Sequence, residues 1–132
     1  MSISLKNISY EINNKKIIQD ISFEVNPKEM LVILGPNGSG KTSLINIMAG
    51  DVSPTQGEIY YDNILLKDIN IVERAKVRSV MSQSSSIVFD YTVLEILEMG
   101  WIRESQLIIQ PSFKDVLYNI VVECEIKNLL NR

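Results

Sequence analysis

The eight residues Gly35-Pro36-Asn37-Gly38-Ser39-Gly40-Lys41-Thr42 constrain this chain more than anything else in it. They satisfy the pattern G-x-x-x-x-G-K-[ST] at every fixed position. Upstream, Met30-Leu31-Val32-Ile33-Leu34 is an unbroken apolar run ended by glycine, which predicts a strand buried on both faces of a largely parallel sheet. Downstream, Leu44, Ile47 and Met48 share one face of a predicted helix, with Gly50 as its stop. Strand, glycine loop and helix in succession is the setting in which this pattern cradles phosphate.

The residue types follow from what a polyphosphate needs. Gly35, Gly38 and Gly40 let the backbone turn with positive φ and approach a ligand without a Cβ, so that consecutive N–H groups converge on phosphate oxygens; Ser39 completes the loop. The positive end of the following helix adds to that field. Lys41 supplies a point charge for the β- and γ-phosphates, and the Thr42 hydroxyl is suited to Mg²⁺. A glycine-rich turn with an accidental Lys-Thr is the bland alternative, and the flanking strand and helix signals weigh against it.

Composition narrows the rest. A chain of 132 residues, 45% hydrophobic and 22% charged, has an ordinary globular balance of about one domain's length. A net charge of −3 and a pI near 5.0 give no basic excess, so no nucleic-acid partner is expected. The single cysteine, Cys124, excludes an internal disulfide and fits a reducing cytosol. Without histidine there is no His-based triad and no His-ligated metal. The N-terminus lacks a secretory h-region and no run approaches a membrane span, so a membrane would be met through a partner.

Along the chain, Ser2 to Tyr10 alternates through Ile3, Leu5, Ile8 and Tyr10, and after the polar turn Asn13-Asn14-Lys15-Lys16 the apolar residues resume at Ile17-Ile18, Ile21, Phe23 and Val25, predicting antiparallel strands with one buried face. A short hairpin is expected around Asp62-Asn63, a helical turn over Ile71 to Lys76, and another strand over Arg78-Ser79-Val80-Met81-Ser82, ending at Gln83. Thr92 and Glu95 form a capping box opening a helix that Gly100 stops. Pro111-Ser112 opens a second helix with an apolar stripe through Phe113, Val116, Leu117, Ile120, Val121 and Cys124, and Ile126 to Leu130 predicts a short third one. Ile120-Val121-Val122-Glu123 also imitates a buried strand, but the helical stripe explains it more economically.

This order of features resembles the ATP-binding domain of ABC transporters, over essentially the whole chain as that domain's N-terminal half. The resemblance implies an α/β fold: a P-loop NTPase core with a mainly parallel sheet and an antiparallel β-subdomain over residues 1–83, then the start of a helical subdomain over 84–132. It implies ATP and Mg²⁺ as ligands. Tyr10 matches the aromatic residue that stacks on adenine, although a strand aromatic packed on a sheet face is the plain alternative. Gln83 matches the glutamine that touches Mg²⁺ and the attacking water, a task suited to an amide that does not titrate. Ser43 is expected at the α-phosphate and Asn37 near the γ-phosphate, or simply as a turn former. Lys41 and Gln83 are thus the residues implied in catalysis, and Thr42 and Gln83 those implied at the metal.

The segment Tyr91 to Gly100 looks like the subgroup importing iron-siderophores, haem and vitamin B12, though Trp101 stands where that subgroup usually has arginine, with Arg103 nearby. In that family the region after Gln83, here Ser84-Ser85-Ser86 and Ile87-Val88-Phe89, receives a helix of the membrane permease; burial in the chain's own core is the competing account. The implied partners are ATP, a second ATP-binding domain as a homodimer in the full-length form, and transmembrane permease subunits. The implied location is cytoplasmic, on the inner face of the membrane.

A complete domain of this family also carries a serine-glycine-glycine signature, a Walker B aspartate with a catalytic glutamate, and a switch histidine. The six glycines of this chain include no adjacent pair, and histidine is absent. Ile87-Val88-Phe89-Asp90 ends in aspartate, but Tyr91 follows where glutamate is needed. The expectation is a truncated N-terminal half that binds ATP without hydrolysing it alone and is marginally stable in isolation. The alternatives are a non-catalytic nucleotide-binding module, a fragment of a DNA-maintenance ATPase of ABC type, and a P-loop GTPase or small-molecule kinase. Asn14-Lys15 lacks the aspartate that guanine recognition wants.

Overall fold

The computed structural model describes residues 1–81, 89–100 and 113–132. It divides into two compact units, Met1–Met81 and Ser82–Arg132.

The first unit is built on a sheet of four antiparallel strands: β1 (Ile3–Ile12), β2 (Lys15–Val25), β3 (Gln56–Tyr61) and β4 (Ile64–Leu65), in the spatial order β2-β1-β3-β4. Both hairpin turns use two residues in the left-handed region, Asn13 and Asn14 at φ 49° and 62°, and Asp62 and Asn63 at φ 45° and 67°. Asn and Asp tolerate that conformation, which matches the twist of the flanking strands. The first turn is therefore tighter than expected, and Lys15 and Lys16 pair within β2.

The apolar residues of β1 are not strictly alternate, and the structure gives the reason. Asn7 (φ 52°) and Asp20 (φ 48°) interrupt β1 and β2 opposite one another, joined by an Asn7 Nδ2 to Asp20 Oδ1 bond of 2.9 Å. The register shifts there, so Leu5 and Ile8 both become core residues despite three-residue spacing. Gly57 of β3 faces this bulge, and a Cβ on it would lie 2.4 Å from the Lys6 and Asn7 carbonyl oxygens. Only glycine fits.

Helix α1 (Lys41–Ala49) contributes Leu44 and Ile47 to a core with Leu5, Ile8, Ile18, Ile59, Tyr61 and Leu66. It ends as expected at Gly50, whose left-handed conformation (φ 78°) brings its N–H to the Ile47 carbonyl and the Asp51 N–H to the Asn46 carbonyl. A 3₁₀ turn (Leu66–Asp68) leads to helix α2 (Ile71–Val77), capped by the Asn70 side chain on the Glu73 N–H at 3.0 Å.

Two predicted strands do not form. Residues 30–34 carry no ladder pairing, and Met30, Val32 and Leu34 are 89%, 63% and 86% exposed. Residues 78–81 are likewise unpaired, with Met81 98% exposed. The sheet is wholly antiparallel, and no parallel pair occurs among the described residues. Local apolarity predicts burial, whereas a strand also needs a neighbour for its N–H and C=O groups.

In the second unit, helix α3 (Val93–Met99) opens with the predicted capping box: the Thr92 hydroxyl accepts from the Glu95 N–H, and the Glu95 carboxylate accepts from the Thr92 N–H at 2.7 Å. Helix α4 (Phe113–Glu123) places Val121 inside, which settles Ile120 to Glu123 as helix. Cys124 falls beyond the end of α4 and is exposed, a correction to the stripe. A 3₁₀ turn (Lys127–Leu129) stands where a short helix was expected. Phe89 is exposed and meets Tyr91 edge to face at 5.8 Å. Residues Ser84 to Val88, Trp101, Arg103, Pro111 and Ser112 lie outside the described residues.

Candidate functional site

The loop 35–40 arrives at α1 through a sharp left-handed turn. Gly40 is the N-cap at φ 89°, and a Cβ on it would sit 2.9 Å from the Ile17 carbonyl oxygen of β2. Both the turn and the close pass over β2 require glycine. Among the described residues no side chain bonds the first-turn amides of α1, and that turn holds no acidic residue. Those amides and the positive end of the helix dipole are therefore open to an anion.

Lys41 lies over the loop. Its ammonium donates to the Gly35 carbonyl at 2.8 Å and to the Pro36 carbonyl at 2.7 Å. An ammonium has three donors, so these two bonds tether the charge above the loop amides and leave one for an oxyanion. The Ser39 N–H donates to the Pro36 carbonyl at 3.3 Å, closing the turn that carries Asn37 and Gly38. Asn37, Ser39 and Thr42 are exposed and Ser43 is half-buried.

Thr42 offers a neutral oxygen at the helix start. No group of three or more His, Cys, Asp or Glu suited to a metal exists among the described residues. A hard cation here would depend on Thr42, water and ligand phosphate oxygens, which is how Mg²⁺ is commonly held.

Tyr10 is half-buried on β1, opposite Ile18 in the β1–β2 register, and packs against the core. Ile18 is also one of the residues that Gly40 passes. The structure thus brings Tyr10 within one strand of the loop. Gln83 lies outside the described residues.

Sequence reasoning missed the other end of α1. There Tyr61 donates its hydroxyl to the Met48 carbonyl at 2.6 Å, Arg74 donates Nη1 to the Gly50 carbonyl at 2.7 Å, and Arg78 pairs with Asp51 at 2.7 Å. Burial raises the Tyr61 hydroxyl above the ordinary tyrosine value, with the two arginines opposing and Asp51 assisting. The one sequence signal was that Arg78 heads an otherwise uncharged run.

Comparison with known proteins agrees with this geometry. The ABC transporter family profile matches residues 18–132. A hemin import ATP-binding protein HmuV of Methylobacillus flagellatus is 40% identical over 89 residues, which are 67% of this chain and 33% of that protein. An HmuV of Pseudoalteromonas translucida is 39% identical over 94 residues, 71% of this chain and 36% of that protein. The chain spans about a third of the length of these curated relatives. Among solved structures, the dimeric bacterial ABC transporter cassette MJ0796 superposes with a TM-score of 0.78 at 25% identity, covering 98% of this chain and 60% of that one. With a glycine loop on a helix N-terminus, a lysine tethered above it and this match over most of its length, the chain belongs to the ABC transporter family, within its ATP-binding domain.

Proposed function

We propose that residues 35–43 bind Mg·ATP in this chain as part of the ATP-binding subunit of an importer for haem or a related iron-siderophore or cobalamin cargo. The observation that carries the reading is the Lys41 ammonium held 2.8 and 2.7 Å from two loop carbonyls above uncapped helix amides. In it, the amides of Gly38 to Lys41 and the Lys41 charge bind the β- and γ-phosphates, with Asn37 near the γ-phosphate. Ser43 takes the α-phosphate, Thr42 orients Mg²⁺ with Gln83, and Tyr10 stacks on adenine. The Mg²⁺ neutralises phosphate charge when bound. The haem reading rests on the names of the HmuV relatives.

The partners in this reading are a second ATP-binding domain and a membrane permease. The chain would then work on the cytoplasmic face of a membrane; among the described residues no helix is long and apolar enough to cross one. Hydrolysis needs a carboxylate to activate or orient water. The chain has no adjacent glycine pair for a signature and no histidine for a switch, so it binds ATP without turnover on its own. Competition of ATP against GTP for a fluorescent nucleotide, with phosphate release measured in parallel, tests this. ATP preference without release is expected; GTP preference, or steady release by the chain alone, would overturn it.

A further inference from the structure

Helix α1 has nine residues, a length of about 13 Å and too short to be stable without packing, so its position is set by the core contacts of Leu44 and Ile47 together with what holds its ends. Its C-terminal end is gripped by three side chains from outside the helix: Tyr61 on the Met48 carbonyl, Arg74 on the Gly50 carbonyl and Arg78 on the Asp51 carboxylate. Guanidinium groups suit a place where helix carbonyls run out of partners and the dipole is negative. Stability alone accounts poorly for them. The Asp51 side chain is 50% exposed, and ion pairs of that exposure contribute little. The Nε atoms of Arg74 and Arg78 are both buried without a partner among the described residues, which is unfavourable.

We propose that Arg74 and Arg78 are positioning residues for the phosphate loop: by clamping Gly50 and Asp51 they fix α1 along its axis, and so hold the first-turn amides and Lys41 at its other end. This rests on the reading of residues 35–43 as an ATP site.

The test uses the 132-residue chain and the variants Arg74→Lys, Arg78→Ala, Asp51→Arg and the exchanged pair Asp51→Arg with Arg78→Asp. Two quantities are measured: hydrogen exchange at the Leu44 amide without nucleotide, and the Kd for Mg·ATP by calorimetry. The Leu44 N–H bonds the Gly40 carbonyl at 2.9 Å and so reports the start of the helix. Single variants are expected to speed Leu44 exchange and weaken Mg·ATP binding by about fivefold each, while amides of β1 keep their protection. The exchanged pair recovers both. Wild-type exchange and Kd in the single variants, or loss of protection in β1 equal to that at Leu44, would overturn the proposal. A wild-type chain that binds no Mg·ATP would sink the ATP reading, and Leu44 exchange would still decide the clamp.

Discussion

The Tyr61 hydroxyl donates to the Met48 carbonyl oxygen at 2.6 Å, fastening the end of the sheet's third strand to the last turn of the phosphate-loop helix. Tyr61 is 3% exposed, so this bond gives a buried hydroxyl its partner. Replacing it with phenylalanine removes the donor and keeps the ring. Tyr61→Phe is expected to cost about 1 kcal/mol in urea unfolding.

The same residue sets an alkaline limit. Its folded-state pKa is raised, chiefly by burial, so its contribution is fully present below the unfolded value near 10.0 and is lost as pH rises through the higher folded value. Thermal midpoints should fall above about pH 10 more steeply in the wild type than in Tyr61→Phe. Equal slopes would contradict this assignment.

Gly40→Ala puts a Cβ 2.9 Å from the Ile17 carbonyl oxygen at φ 89°. A destabilisation of about 1–3 kcal/mol is expected. Gly38→Ala, also at positive φ but facing open space, should cost less. Chemical denaturation of both variants checks the order.

The capping box of α3 predicts a response to acid. Hydrogen bonds from the Thr92 backbone first, and then its hydroxyl, lower the Glu95 pKa from its ordinary value of 4.5. A lowered folded value means that the carboxylate stabilises α3 above pH 4.5 and loses that effect as pH falls through the lower folded value. Hydrogen exchange within Val93–Met99 should therefore accelerate below pH 4.5 in the wild type and stay nearly flat with pH in Glu95→Gln, after correction for intrinsic rates.

The exposed run at 30–34 should govern solubility. Met30 and Leu34 are 89% and 86% exposed, so Met30→Lys and Leu34→Ser together should change unfolding stability by no more than about 0.5 kcal/mol. An unpaired apolar segment invites association, and light scattering at a given concentration should fall in the double variant.

What was legible in the sequence was local. The turn at Asp62-Asn63, the Gly50 cap, the Thr92 and Glu95 box and the glycine loop each depend on residues within a few positions, where side-chain type dictates backbone conformation, and only the length of the turn at Asn13-Asn14 differs from expectation. The runs at 30–34 and 78–82 predict strands, yet residues 30–34 and 78–81 stay unpaired, because pairing depends on a distant partner that local sequence does not reveal. Simple alternation does not place Leu5 and Ile8 on one face; the bulge at Asn7 and Asp20 does, through a pairing between strands that a period of two does not reveal. The grip of Arg74 and Arg78 on α1 spans 24 and 27 residues, and no short motif announces it.

Calorimetric titration of Mg·ATP into the folded wild-type chain and into Lys41→Ala tests the central claim most directly. Saturable binding by the wild type, weakened at least about tenfold when the tethered ammonium is removed, is the predicted result. Equal affinity in the two proteins, or no uptake by a wild-type chain shown by circular dichroism to be folded, would contradict it.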